Sequence, residues 1–233
     1  MARKSNVAES VLADTIYSVT DFQPMPLSAV KILRLHGYRD LGRVSTQIRE
    51  AAREAVEMAG PLLKPAGVFR IMRVDVSAPA TVRVEDGVIL RGVEVARLLR
   101  GAEYGAVFVA TIGIGVEHRA EDLHRAGDYL RWLLLDTAGT LAVHLAISRI
   151  RAHVARIAGQ IGSRVRGRIG PGHGDWPLQD QAALFSLFDT ASLPVRLLDK
   201  GLMMPGKSMS GLMALTPFPW AASESVQEGS SGR

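Results

Sequence analysis

One stretch constrains this chain more than any other. From roughly Asp128 to Ile157, the residues Leu130, Leu133, Leu134, Leu141, Leu145, Ile150, Val154 and Ile157 recur at helical spacing, yet they spread over much of the circumference. A helix with one apolar stripe rests on a core, whereas a helix apolar on several sides must be covered on several sides. Other layers have to be built around it. No apolar run approaches the ~20 residues of a membrane span, and the opening MARKSNVAES lacks the apolar stretch of a signal peptide. The expectation is a soluble, cytoplasmic chain.

The covering layers can be read from the change of period along the sequence. Residues 1–25 are polar and irregular and read as a flexible arm. Leu27, Val30, Leu33 and Leu35 then suit a first helix that breaks at Gly37. Ser45 caps a second helix with Ile48, Ala52, Ala55, Val56 and Ala59 as its stripe, ending at Gly60-Pro61. From there the period falls to two. Val68, Ile71 and Val74 mark a strand, and residues 82–90 a hairpin turning at Asp86-Gly87 in a tight type I′ turn. Val93 to Leu99 suits a short helix, and the wholly apolar run from Gly105 to Ile112 a central strand. After the long helix, Asp175-Trp176-Pro177 reads as an N-cap with proline in the first turn of a helix through Leu184, Phe185 and Phe188. A last strand runs from Ser208 to Leu215, and residues 221–233 read as a disordered tail. Strands and helices do not alternate strictly, so the expected class is α+β over residues 26–220, a twisted antiparallel or mixed sheet flanked by helices.

Composition removes several chemistries. Among 233 residues there is no cysteine, which excludes a thiol nucleophile, thiolate zinc, an iron–sulfur cluster and a redox disulfide. Walker, His-Glu-x-x-His, calcium-loop and Gly-x-Ser-x-Gly patterns are all missing. Gly113-Ile114-Gly115 follows a strand but lacks the third glycine of a dinucleotide loop. His144 and His153 lie nine residues apart on one helix, about 900° of rotation, and so face opposite sides rather than a shared metal.

Basic residues number 28 against 23 acidic ones, and all but five are arginine. Between Thr137 and Gly174 there is no acidic residue, while Arg149, Arg151, Arg156, Arg164, Arg166 and Arg168 all fall there. The stretch runs into a glycine-rich segment with glycines at 167, 170, 172 and 174. Two readings stay open: a loop whose backbone amides approach a ligand closely while Arg168 forks onto a carboxylate, or a surface loop joining two helices. Interleaved aromatics and nucleic-acid motifs are absent, so nucleic acid is disfavoured.

Arg168-x-x-x-Gly172-His173-Gly174-Asp175-Trp176-Pro177, followed by Gln181 and Leu184-Phe185, resembles the Arg-x-x-x-Gly-Tyr-Gly-Asp-Trp-Pro signature of the activation domain of vitamin B12-dependent methionine synthase. Met203-Met204-Pro205-Gly206-Lys207-Ser208-Met209-Ser210-Gly211 is similar to that family's second block. Leu62-Leu63-Lys64-Pro65, Ala110-Thr111-Ile112-Gly113 and Gly127-Asp128 agree more loosely, so the resemblance spans roughly residues 26–218.

The resemblance implies an S-adenosylmethionine-binding domain, one that lets reduced cobalamin be remethylated to methylcobalamin. It implies Arg168 on the ligand's carboxylate, backbone contacts from Gly170, Gly172 and Gly174, and Ser208 and Ser210 near the ligand. The cobalamin would be carried by a partner methyltransferase lacking this domain, and the electron would come from an external flavodoxin- or ferredoxin-like donor. Two positions depart from the family pattern: His173 stands for its tyrosine, and His144 lies near a position where an acid is common. His173 is either a group facing the corrin, with a catalytic role, or a solvated loop histidine. His144 at the ligand site would leave a sulfonium unbalanced. Two functions follow, an activation component of a methyltransferase system and a docking or chaperone module for a corrinoid protein that has lost the methyl donor. A small-molecule methyltransferase would need a general base that is not evident. The methionines of 203–213 read mostly as core.

Overall fold

The computed structural model describes residues 15–22 and 24–218. The arm's first residues 1–14 and the tail 221–233 lie outside them. Seven antiparallel strands form one sheet: β1 (Ile16–Val19), β2 (Ala66–Ala78), β3 (Thr81–Val84), β4 (Ile89–Arg91), β5 (Tyr104–Thr111), β6 (Ser163–Ile169) and β9 (Ser208–Pro217), in the order β4-β3-β2-β5-β9-β6 with β1 beside β2. Two further short strands, β7 (Arg196–Leu197) and β8 (Met203–Met204), pair with each other. The helices are α1 (Ala29–Leu35), α2 (Thr46–Leu62), α3 (Val93–Leu99), α4 (Gly115–Arg125), α5 (Tyr129–Gln160) and α6 (Gln181–Phe185).

Alternation along the strands separates two cores. On β2, Phe69 and Ile71 face α1, α2, α4 and α5, while Val68, Met72 and Val74 face α3 and α6. β5 is buried at every position and sits at the centre of the sheet, as its apolar run implies. Each fully buried large side chain, such as Phe108 or Ile147, contributes roughly 1.5–3 kcal/mol.

The long helix is the floor of the larger core. Leu134, Ala138, Ala142, Ile147, Ile150 and Val154 are buried between the sheet and α2, whereas Leu133, part of the expected apolar surface, is exposed. Contrary to the expectation from apolar runs, Tyr129–Gln160 is long and apolar enough to cross a membrane by length and composition. Half of its most apolar window is buried within the protein, as in a core helix. Contact between α5 and β2 is close at Gly67, where an added Cβ would lie 2.6 Å from the Ile150 Cδ1 atom.

Local signals explain most boundaries. Ser45 Oγ accepts from Ile48 N–H and caps α2, as expected, and Asp128 Oδ1 accepts from Arg131 N–H at the start of α5. Four expectations need correction. Ile16–Val19, placed in the arm, pairs with β2 because Val19 is core, and Phe22 just beyond it is buried as well. The β3–β4 hairpin closes through a three-residue turn over 85–87 with Gly87 at φ 77°, not a two-residue turn. Residues 163–169, read as part of a loop, form β6. Asp175 does not cap the helix that follows it; that segment is a short 3-10 turn, Leu178–Asp180, leading into five-residue α6.

Candidate functional site

Arg168 comes from β6, whose residues pair with β9 so that Arg168 lies opposite Met213, on the α5 side of the sheet. There its Nη1 donates to the Met209 thioether at 3.1 Å and its Nη2 lies 3.4 Å from His144 Nδ1. A guanidinium has no acceptor, so the histidine Nδ1 must be the acceptor and Nε2 carries the ring proton. Burial, and then the Arg168 charge, hold the His144 pKa below the usual imidazole value. The ring beside Arg168 is therefore neutral at pH 7. Thioether and imidazole are weak acceptors, which leaves the guanidinium able to exchange them for a carboxylate.

The nearest chain carboxylates in sequence are occupied. Asp136, just before the acid-free stretch, pairs with Lys207 Nζ at 2.8 Å, and Lys207 also donates to Thr140 Oγ1. Asp175, just after it, accepts from Val93 N–H at 2.6 Å and Glu94 N–H at 3.0 Å. α3 starts at Gly92, which has no side chain to cap it, so the cap is supplied from the glycine loop. Those two N–H groups hold the Asp175 carboxyl below the usual carboxylate range.

That cap fixes the loop after β6. Gly172 N–H donates to Trp176 O, and Trp176, 1% exposed, donates its Nε1–H to Asp180 Oδ2 at 3.1 Å. Asp180 Oδ2 also accepts from Arg91 N–H. Gly172 and Gly174 take positive φ of 85° and 60°, and a Cβ at Gly174 would meet Glu94 at 2.9 Å. At Gly170 a Cβ would lie 2.7 Å from Ser210 O, and at Gly211 one would lie 2.5 Å from Ile169 O, so both strands pass too closely for a side chain. His173 Nδ1 lies 3.2 Å from Gly170 O. Because a carbonyl only accepts, Nδ1 carries a proton here, and the ring is exposed.

The expected site residues thus fall into two groups. Arg168 and His144 meet on the α5 side, together with Met209. Gly172, His173 and Gly174 belong to the loop packed on α3, and alternation along β9 turns Ser208 and Ser210 to that same side, away from Arg168. Ser208 Oγ donates to Pro205 O at 2.6 Å and is engaged in its own turn, while the buried Ser210 Oγ has no hydrogen-bond partner among the described residues. Gly170, at the end of β6, separates the groups. The methionine block is mixed: Met213 is core, Met203 and Met209 are half-buried, and Met204 is exposed.

Sequence reading missed two parts of this arrangement. One is the Asp175 cap on α3. The other is Glu117 of α4, whose carboxylate accepts from Gly206 N–H at 3.1 Å and Lys207 N–H at 2.6 Å and so ties down the turn that opens β9. Neither has a local signal, since each joins segments more than eighty residues apart. Among the described residues no cluster of three or more metal-ligating side chains occurs.

No family model and no curated protein sequence matches the chain. Its structure does match a crystal structure of the MetH reactivation domain bound to AdoHcy, with a TM-score of 0.62 over 87% of this chain and 79% of that one, at 13% identity. The chain has the fold of that domain.

Proposed function

We propose that this chain binds S-adenosylmethionine and serves, in the cytoplasm, as a stand-alone activation component for a cobalamin-dependent methyltransferase. The observation that carries the reading is Arg168: a guanidinium held only by a thioether and a neutral imidazole, on a chain with the fold of the MetH reactivation domain. The residues fit the ligand's carboxylate end. Arg168 would hold that carboxylate on the α5 side, and the backbone of Gly170, at the end of β6 between the two groups, would lie next to it; Gly172 and Gly174 stand across the strand on the α3 side, where the Ser210 hydroxyl is buried. When bound, S-adenosylmethionine supplies the methyl group that returns reduced cobalamin, carried by a separate methyltransferase and reduced by an external flavodoxin- or ferredoxin-like donor, to methylcobalamin. The chain's own residues bind and orient the donor. His173, exposed on the loop with its Nδ1 turned to Gly170 O, is the group proposed to face the corrin.

A second reading has its own observation. His144 is neutral where a carboxylate would balance a sulfonium, which favours a docking or chaperone module for a corrinoid protein that no longer uses the methyl donor. Isothermal titration separates the two. The first reading expects heat with S-adenosylmethionine and with S-adenosylhomocysteine, lost in Arg168→Ala. Absence of heat with both, alongside binding to a corrinoid protein, would establish the second. Unchanged reactivation of the partner by His173→Ala would remove the histidine's role and leave ligand binding intact.

A further inference from the structure

β6 is the last strand of the sheet, and its outer edge carries an uncompensated positive charge. Arg164, Arg166 and Arg168 project from it, all exposed, and Arg151 reaches it from α5 by donating to Val165 O at 3.3 Å. Arg149 and Arg156 do not join them. At 100° per residue Arg149 lies 200° round the helix from Arg151, where it donates to Pro24 O, and Arg156 returns to the Arg149 side. Elsewhere six arginines, Arg43, Arg73, Arg91, Arg97, Arg125 and Arg131, each pair with a carboxylate, while others such as the exposed Arg83 and Arg119 do not among the described residues. None of the four edge arginines pairs with a carboxylate among the described residues, and what sets the edge apart is that four such arginines gather on one strand edge. Their hydrogen bonds reach only neutral acceptors: Val165 O, Arg100 O, the Met209 sulfur and the neutral His144 ring.

Side chains flank this edge on both faces of the sheet. The Arg168 guanidinium and Arg151 lie on the α5 side, and Arg166 lies on the α3 side in a groove of about 230 Å³ that Arg168 also lines, together with Leu98 and Ile169. The one carboxylate there, Glu94, is taken by Arg97. A bulge between Val165 and Gly167 interrupts the ladder, so the edge is blunted against strand addition and recognition falls to the side chains. No aromatic residue lines the groove, so bases have nothing to stack on.

We infer that the β6 edge is a docking surface for an acidic surface of another protein, with Arg151, Arg164, Arg166 and Arg168 as its cationic contacts. Arg168 is shared with the proposed ligand site, whereas Arg151, Arg164 and Arg166 lie outside it, so the inference is tested through Arg164 and Arg166 and holds for either reading of the function.

Fluorescence anisotropy with labelled poly-L-glutamate tests it on the full chain. Wild-type protein should bind at 50 mM NaCl and lose about tenfold in affinity by 300 mM, as the Debye length falls from roughly 14 to 6 Å. Arg164→Glu with Arg166→Glu should weaken binding about tenfold or more at 50 mM. Arg125→Glu reverses a charge at the end of α4, next to the start of α5, which lies about 33 Å from Arg151 by the helix rise, and should bind like wild type. Circular dichroism melts establish that the variants fold. Equal weakening by Arg125→Glu, or wild-type binding by the double variant, overturns the inference. So does tighter binding of oligo-dT or of phosphatidylglycerol vesicles than of polyglutamate. Loss of S-adenosylmethionine binding in Arg168→Ala bears on the function and leaves this outcome untouched.

Discussion

Asp175 caps a helix that begins 82 residues before it: its Oδ2 accepts the Val93 N–H at 2.6 Å. The glycine loop and α3 are therefore one structural unit. Asp175→Ala should lower the melting temperature, and Asp175→Asn, which keeps one acceptor, should lie between it and wild type. Because the folded carboxyl is held below its usual value, the stability it contributes is present above the unfolded pKa and is lost as pH falls through the folded one. Melts at pH 7 should separate wild type from Asp175→Asn, and melts near pH 2 should bring them together.

His144 gives a pH dependence of the same sign in a higher window. Its folded pKa is depressed, so the unfolded chain takes up a proton first, and the folded state is penalised as pH drops below the unfolded value of about 6.5. His144→Gln should flatten the stability loss between pH 7.5 and 5. In NMR titrations Arg168→Ala should raise the His144 pKa only part of the way to the usual value, since burial is the larger cause and remains.

Trp176 holds the loop's other end. Trp176→Ala should cost about 3–5 kcal/mol in denaturant unfolding, because it empties a fully buried indole site. Trp176→Phe keeps most of the volume but leaves Asp180 with one donor fewer; a cost of about 1–3 kcal/mol is expected.

Arg168 separates binding from folding. Arg168→Lys keeps the charge but loses the planar fork, so ligand affinity should fall about tenfold or more while the melting temperature changes little. Calorimetry and thermal melts on the same sample check both halves.

Much of the fold was legible because burial imposes a period. β5 and β9 are long apolar strands, and α5 carries its apolar residues at helical spacing over some thirty residues. β6 escaped because Arg164, Arg166 and Arg168 face solvent and Gly167 leaves a gap where Leu98 packs, so no apolar alternation marks the strand. β1 escaped because it is only four residues long, Ile16–Val19, beside a polar segment, and only Val19 of the four is buried. Asp-Trp-Pro looks like a local cap, and nothing within it says that the aspartate serves a helix far upstream. At the site, residue types singled out Arg168 and His144 one at a time, but their meeting depends on the antiparallel return of β6 along α5. The same alternation that builds β9 removed Ser208 and Ser210 from the arginine's side.

Gly67 lies in β2, outside the candidate site, yet it sets the height of α5 above the sheet, since Ile150 rests where a Cβ would be. His144 is less than two turns away on the same rigid rod, and Arg168 is anchored to the sheet. The distance between them is thus a clearance between two layers, gauged by an atom that is not there. A methyl group at Gly67 would act as a shim, and a change in the interior with no contact to any ligand would be felt first as lost recognition.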